Sequence, residues 1–190
     1  MGNREDLLTG ARRAILDRGL AKVTARDIAN AAGVSLAAIG YHFGSKDRLV
    51  MEAITEGIGD AVGDGMEAAI VGAGEGRSPW EGMGPTWNGL IDVIQQNREA
   101  LLLSTENSVQ IARDPEAQQF MTTATLEAHR GITDAVHRAY PEMSEAQTDA
   151  VAKLYFILFQ GFAVQWLIAP EAPLLDGDGL VTAIEALRGQ

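Results

Sequence analysis

The chain has 190 residues, 46% of them hydrophobic, no cysteine and a formal net charge of −11. The length suits one domain or a small module joined to a larger one, and the hydrophobic content argues against disorder. The lack of cysteine excludes disulfides, thiolate metal sites and thiol nucleophiles. The charge is unevenly spread. Residues 1–48 hold eight Lys or Arg against five Asp or Glu, and the remainder holds seven against 21. A basic head on an acidic body points to a polyanion contact made by the head alone. The opening stretch MGNREDLLTGARRAILDRG is charged throughout and has no apolar segment. No secretory signal is expected, and the protein is read as cytoplasmic.

The first helix is predicted from about Arg4 to Arg18, with Leu8, Ala11 and Ile15 on one face and Gly19 at its end. TARDIANAAG follows. Thr24 is placed to cap a second helix, with Asp27 three residues on in capping-box position. Ile28, Ala29 and Ala32 form its buried stripe, and Gly33 stops it. Ser35 caps a third helix ending near Gly44, and Ser45 a fourth beginning KDRLVMEAI. The pair 25–32 and 36–43, joined by a short turn containing glycine, is a helix-turn-helix arrangement. The third helix is unusual. Ile39 and Phe43 lie one turn apart, but the opposite face carries Ala37, Ala38, Gly40 and Tyr41 and no charge.

Further on, Gly57, Gly59, Gly63, Gly65, Gly72, Gly74 and Gly76 are expected to weaken and end the fourth helix, with GAGEGRSP as a loop in which Ser78 and Pro79 offer a cap and a first-turn proline. Helices are predicted from about Gly84 to Gln96, from Arg98 to Ala112, and from Pro115, behind the cap Asp114, to about Ala139. Ser144 caps a long apolar helix reaching Ala169, and Leu180–Leu187 make the last one. Val151–Ala169 approaches the length that spans a bilayer. Lys153, Gln160 and Gln165 interrupt it, so it is read as a helix buried on two sides in a soluble assembly. No strand and no internal repeat is expected; the fold class is all-α.

Catalytic chemistry finds little support. GAGEGR begins like a dinucleotide loop, but Arg77 stands where the third glycine belongs and no β-α-β unit surrounds it. His42, His129 and His137 form no metal box, and no cofactor or metal is expected. An all-helical enzyme using His129 and Glu106 is the weakest of three function classes.

From about Asp6 to Val50 the chain resembles the TetR family of transcriptional regulators. The resemblance is carried by TARDIANAAGVS, then Gly33, Val34 and Ser35, Ile39, Tyr41, His42 and Phe43, Lys46 and Leu49. It implies a head over 1–48 that binds DNA through its helix-turn-helix, and a helical ligand-sensing and dimerisation domain over 49–190. By that resemblance the third helix enters the major groove. Ser35, Leu36, Ala37, Gly40, Tyr41 and His42 are then its DNA-facing set. Ala37 can meet a thymine methyl, and Tyr41, His42 and the amides at Ser35 can meet phosphate. Lys46 matches the family's phosphate-contacting lysine, and Arg26 a position that reaches a guanine edge. Gly40 stands where the family usually has an aromatic residue.

The resemblance also implies a homodimer through the last two helices, a palindromic operator and a small-molecule effector. Trp87, Met121, Thr125, His129 and Trp166, with Glu106 and Gln110 opposite, are the candidates to line a mostly apolar pocket. If Glu106 is buried, it needs a cationic partner, from the ligand or from an Arg. Ligand binding is expected to shift the fourth helix and lower DNA affinity, with repression the usual output. The alternative is a regulator controlled by a protein partner at its acidic body.

Overall fold

The computed structural model describes residues 3–189, with the side chain of Asp60 set aside. Met1, Gly2 and Gln190, the outermost residues of the two expected domains, lie outside the described residues. Every regular element among those residues is helical. In chain order they are α1 (Asn3–Arg18), α2 (Ala25–Ala32), α3 (Leu36–Phe43), α4 (Lys46–Ile58), a π-helical turn (Gly59–Gly63), α5 (Asp64–Gly74), α6 (Pro79–Gln96), α7 (Arg98–Ile111), α8 (Pro115–Ala139), α9 (Glu145–Ile168) and α10 (Gly177–Arg188). The all-α expectation holds. The chain forms two compact units. One runs to Ile58 and includes Leu102–Thr122; the other comprises Gly59–Leu101 and the chain from Thr123 on.

The first unit is built on one apolar cluster. Leu7, Leu8, Ala11, Ala14 and Ile15 of α1 meet Ile28 and Ala29 of α2, Ala38, Ile39 and Phe43 of α3, and Leu49, Val50, Ala53 and Ile54 of α4. The position expected to end the head, residue 48, thus falls inside α4, whose next turn is core. Gly10 sets how closely α1 and α2 pack: a Cβ there would lie 2.7 Å from the Cβ of Ala32. The expected capping box at α2 forms. Asp27 N–H donates to Thr24 Oγ1 at 3.2 Å, and Thr24 N–H donates to Asp27 Oδ2 at 3.0 Å. The Thr24 hydroxyl, which donates to Asp27 Oδ2 at 2.6 Å, and after it the Thr24 N–H hold the Asp27 carboxyl below its usual range. Gly33 then turns the chain in the left-handed region, at φ 68°.

A carboxylate with only 7% side-chain exposure, Glu52 of α4, braces this unit. Arg4 Nη2 donates to Glu52 Oε2 at 2.6 Å, and Arg48 Nε donates to Oε1 at 3.0 Å. The same Arg48 reaches Glu116 Oε1, at the start of α8, with Nη1 at 2.6 Å. The hydrogen bond that Arg48 donates to Glu52 is the main cause that raises the Arg48 pKa. Arg4 also lies over the Phe43 ring, 5.3 Å from its centroid.

In the second unit the glycine-rich stretch does not end the helical path, as the sequence had implied. The π turn absorbs Gly59 and Gly63, and α5 continues through Gly72 to Gly74. Helix α6 starts at Pro79 rather than near Gly84, because Ser78 and Glu81 form a full capping box. Helix α10 starts at Gly177 rather than Leu180, because the Asp176 side chain caps Gly179 N–H at 2.8 Å. Three hydroxyl-bearing residues are buried together: Thr86, Tyr140 and Tyr155. Burial raises the pKa of both phenols, that of Tyr155 to about 12. Among the described residues, no group completes a hydrogen bond to Thr86 Oγ1 or the Tyr140 hydroxyl.

Helix α9 is long and apolar enough to cross a membrane by length and composition, but such a lone helix is weak grounds for a span. Burial on two sides is not met within one copy of the chain. Only 22% of its most apolar window is buried, and Leu154, Ile157, Val164 and Ile168 are exposed.

Two outcomes follow from this packing. Glu52→Ala leaves Arg4 and Arg48 without their shared acceptor, and urea unfolding is expected to register a loss of about 2–3 kcal/mol. Glu52→Gln, which keeps the shape, should lose less. The neutral Tyr155 phenol contributes stability that is fully present below pH 10.0, the ordinary tyrosine value, and is lost as pH rises to about 12. The unfolding free energy should fall across that window, and Tyr155→Phe should shrink the fall.

Candidate nucleic-acid interface

The core decides which face of α3 is left outside. Ala38, Ile39 and Phe43 are buried. Leu36, Ala37, Gly40 and Tyr41 are exposed, with Tyr41 at 86%. One assignment from the sequence changes here: Ala38 belongs to the core side and not to the bare face. The outer face of this short helix therefore narrows to those four residues and the flanking Ser35 and His42. Ser35 stands at the N-cap with extended backbone, but its hydroxyl makes no cap bond and remains available. His42 is half-buried, and its ring stands edge-on to Tyr41 with centroids 4.9 Å apart.

Lys46 opens α4. Its Nζ lies 3.2 Å from Asp47 Oδ1 and 3.5 Å from the Val23 carbonyl, so it ties the start of α4 to the chain before α2. Arg26, in the first turn of α2, is exposed, and Asp27 is occupied by Arg18 at 3.1 Å. Neither Asp27 nor Asp6 pairs with Arg26 among the described residues. Of the eight cations in residues 1–48, five are engaged by acids: Arg4, Arg12, Arg18, Lys46 and Arg48. Arg13, Lys22 and Arg26 have no ion-pair partner among the described residues, and all three are exposed. Arg13 and Lys22 did not stand out in the sequence, because a single chain does not reveal which cations its own acids neutralise.

The pocket candidates divide between the two units. Met121, Glu106 and Gln110 belong to the first. Met121 Sδ accepts the Thr55 hydroxyl at 3.5 Å. Glu106 and Gln110 are exposed, so the requirement for a buried counter-charge at Glu106 does not arise; the buried polar side chain of α7 is Asn107. Trp87, Thr125, His129 and Trp166 belong to the second. Trp87 is fully buried, donates Nε1–H to the Leu175 carbonyl at 2.7 Å, and meets Phe162 edge-on at 5.4 Å. Thr125 and Trp166 are half-buried. The His129 ring packs edge-on to Phe156 at 4.5 Å, and its buried Nε2 has no hydrogen-bond partner among the described residues. Glu52 and Asn107 escaped notice in the sequence. Glu52 had a signal: it shares the helical phase of Leu49 and Ala53 and follows Arg48 by four residues.

The geometry agrees with what is known of similar proteins. The family model for bacterial regulatory proteins of the tetR family matches residues 7–53, from α1 into α4. The HTH-type transcriptional regulator TtgR of Pseudomonas putida is 29% identical over 188 residues, which cover 92% of this chain and 85% of TtgR. Among solved structures, a TetR-family member from Streptomyces coelicolor superposes with TM-score 0.59 at 19% identity, covering 98% of both chains. The multidrug binding protein EbrR, solved with imidazole, superposes with TM-score 0.64 at 20% identity, covering 98% of this chain and 95% of EbrR. The sequence match falls on the helix-turn-helix whose outer face is described above, and the relative matched over most of its length is named as a regulator and not an enzyme. Over residues 7–53 the chain thus matches the tetR family of bacterial regulatory proteins, and over most of its length it is similar to an HTH-type transcriptional regulator.

Proposed function

We propose that this regulator is a repressor that binds a palindromic operator as a homodimer and is released by a small, mostly apolar molecule. The observation that carries the DNA part is the outer face of α3. It is exposed, bare of acids and turned outward by the same residues that build the core. In this reading DNA contacts come from 1–48 and sensing and dimerisation from 49–190, in the cytoplasm. Arg26 reads a guanine edge from α2. Ser35, Leu36, Ala37, Gly40, Tyr41 and His42 form the face of α3 toward the groove, and Lys46 exchanges Asp47 for a phosphate.

The exposed stripe Leu154, Ile157, Val164 and Ile168 on α9, with Leu187 on α10, supports a dimer. An apolar row of that length needs a cover, and a second copy placed on a two-fold axis brings the two heads onto one palindrome. The orphaned Nε2 of His129 beside Phe156 supports an effector that is apolar with one hydrogen-bonding group. EbrR, similar in fold, is named as a multidrug binding protein, which also favours a small-molecule effector. The ligand-favoured state would shift α4 and hence the separation of the two heads.

Footprinting of the purified protein on the DNA flanking its own gene, at two salt concentrations, tests this reading. A protected palindrome that weakens with salt is the expected result; absence of any protected or bound DNA would remove it. Lys46→Ala should weaken binding to all duplexes and reduce the slope of log K against log salt by about one. Arg26→Ala should instead relax the preference at one base pair per half-site, at a cost of roughly 1–3 kcal/mol. If both variants bind like the parent at every salt concentration, the docking of the head is wrong.

A further inference from the structure

We infer that Gly40 is a close-approach position that lets α3 bring Leu36 and Ala37 against thymine methyl groups in the major groove, an inference that rests on the DNA-binding reading above. Gly40 lies inside α3. A Cβ built on it would meet nothing within 4 Å, so no other part of the chain requires glycine there. Gly10 is the contrasting case, since its missing side chain is what admits Ala32. A glycine in a helix interior lowers stability relative to alanine, and α3 has only eight residues over which to bear that loss. What benefits from the bare backbone must therefore lie outside the chain.

The neighbours of Gly40 identify the chemistry. One turn earlier on the same face stand Ala37 and Leu36, the latter 49% exposed. No side chain of these three offers a hydrogen bond. Such a face cannot read the donors and acceptors of a base edge; it can read the C5-methyl of thymine, the apolar group of the major groove. Dispersion contact is short-ranged, and a gap of about 0.5–1 Å already forfeits a quarter to a half of it. A side chain at position 40 would hold the helix off by such a distance. Readout then divides between two helices: the exposed guanidinium of Arg26 on α2 for a guanine edge, and the dry face of α3 for thymine.

The full chain is used to select duplexes from a random-sequence pool. The selected half-sites are expected to contain thymine, and replacing it by deoxyuridine, which lacks only the methyl, should weaken binding about four-fold per methyl contacted. Gly40→Ala should raise the melting temperature by a few degrees. It should nevertheless bind the selected duplex about ten-fold more weakly, and it should no longer distinguish thymine from deoxyuridine. Gly40→Ala that binds with the parent's affinity would overturn the inference. Weaker binding with the parent's thymine-to-deoxyuridine ratio would overturn its methyl part. A parent protein that selects no duplex at all would remove the DNA-binding reading itself, which is a separate and recognisable failure.

Discussion

The orientation of α3 depends on three buried side chains, Ala38, Ile39 and Phe43, and the function of the head depends on that orientation. A helix of two turns has no stability of its own in water. It exists here because α1, α2 and α4 supply the rest of the apolar cluster. The same burial that holds α3 fixes which residues stay out. Core formation and presentation of the outer face are therefore one event: a change that rotates α3 to repack Ile39 also withdraws Tyr41 and Leu36 from solvent.

Electrostatics reinforces this packing at one point. Glu52 gathers Arg4 from α1 and Arg48 from its own helix, and Arg48 passes the link on to Glu116. Exposed ion pairs contribute little, but a nearly buried carboxylate must be satisfied or it destabilises the fold. Arg4 further spans Phe43 of α3. The brace thus ties α1, α3, α4 and the beginning of α8 into the same unit, which is consistent with residues 102–122 clustering with the head although they lie far along the chain.

The sequence made the head legible because its signals are local. Thr24 and Asp27 specify the start of α2, Gly33 the turn, and Ile39 with Phe43 the inner side of α3, all within a few residues of one another. It misled where the outcome depends on a distant partner. The run of glycines after Gly57 reads as a helix breaker, yet a π turn carries the helical path onward, and Met66 and Ile70 of α5 are buried there. Ala38 has no side chain large enough to declare its side. Asn107 is buried where Glu106 was the candidate, a difference of one residue that only the rotation of α7 decides. Helix α9 reads as buried on two sides because nearly all of its residues are apolar, and one copy covers only part of it.

The net charge illustrates the same point at the level of the whole head. A total of −11 for the chain argues against a polyanion partner, and an excess of bases in residues 1–48 argues for one. Neither total says which charges are free to act. The structure sorts them: five cations are held by the chain's own acids, and three, Arg13, Lys22 and Arg26, face solvent without an ion-pair partner among the described residues. A free cation gives its whole attraction to an external anion, whereas in the proposed phosphate contact Lys46 would first have to release Asp47. Since an exposed pair of that kind is worth about 0–1 kcal/mol, the exchange is cheap. Arg4 and Arg48, by contrast, are bound to a buried acceptor and serve the fold. The basic character of the head is thus two populations, cations held by the chain's own acids and cations that face solvent without an ion-pair partner among the described residues.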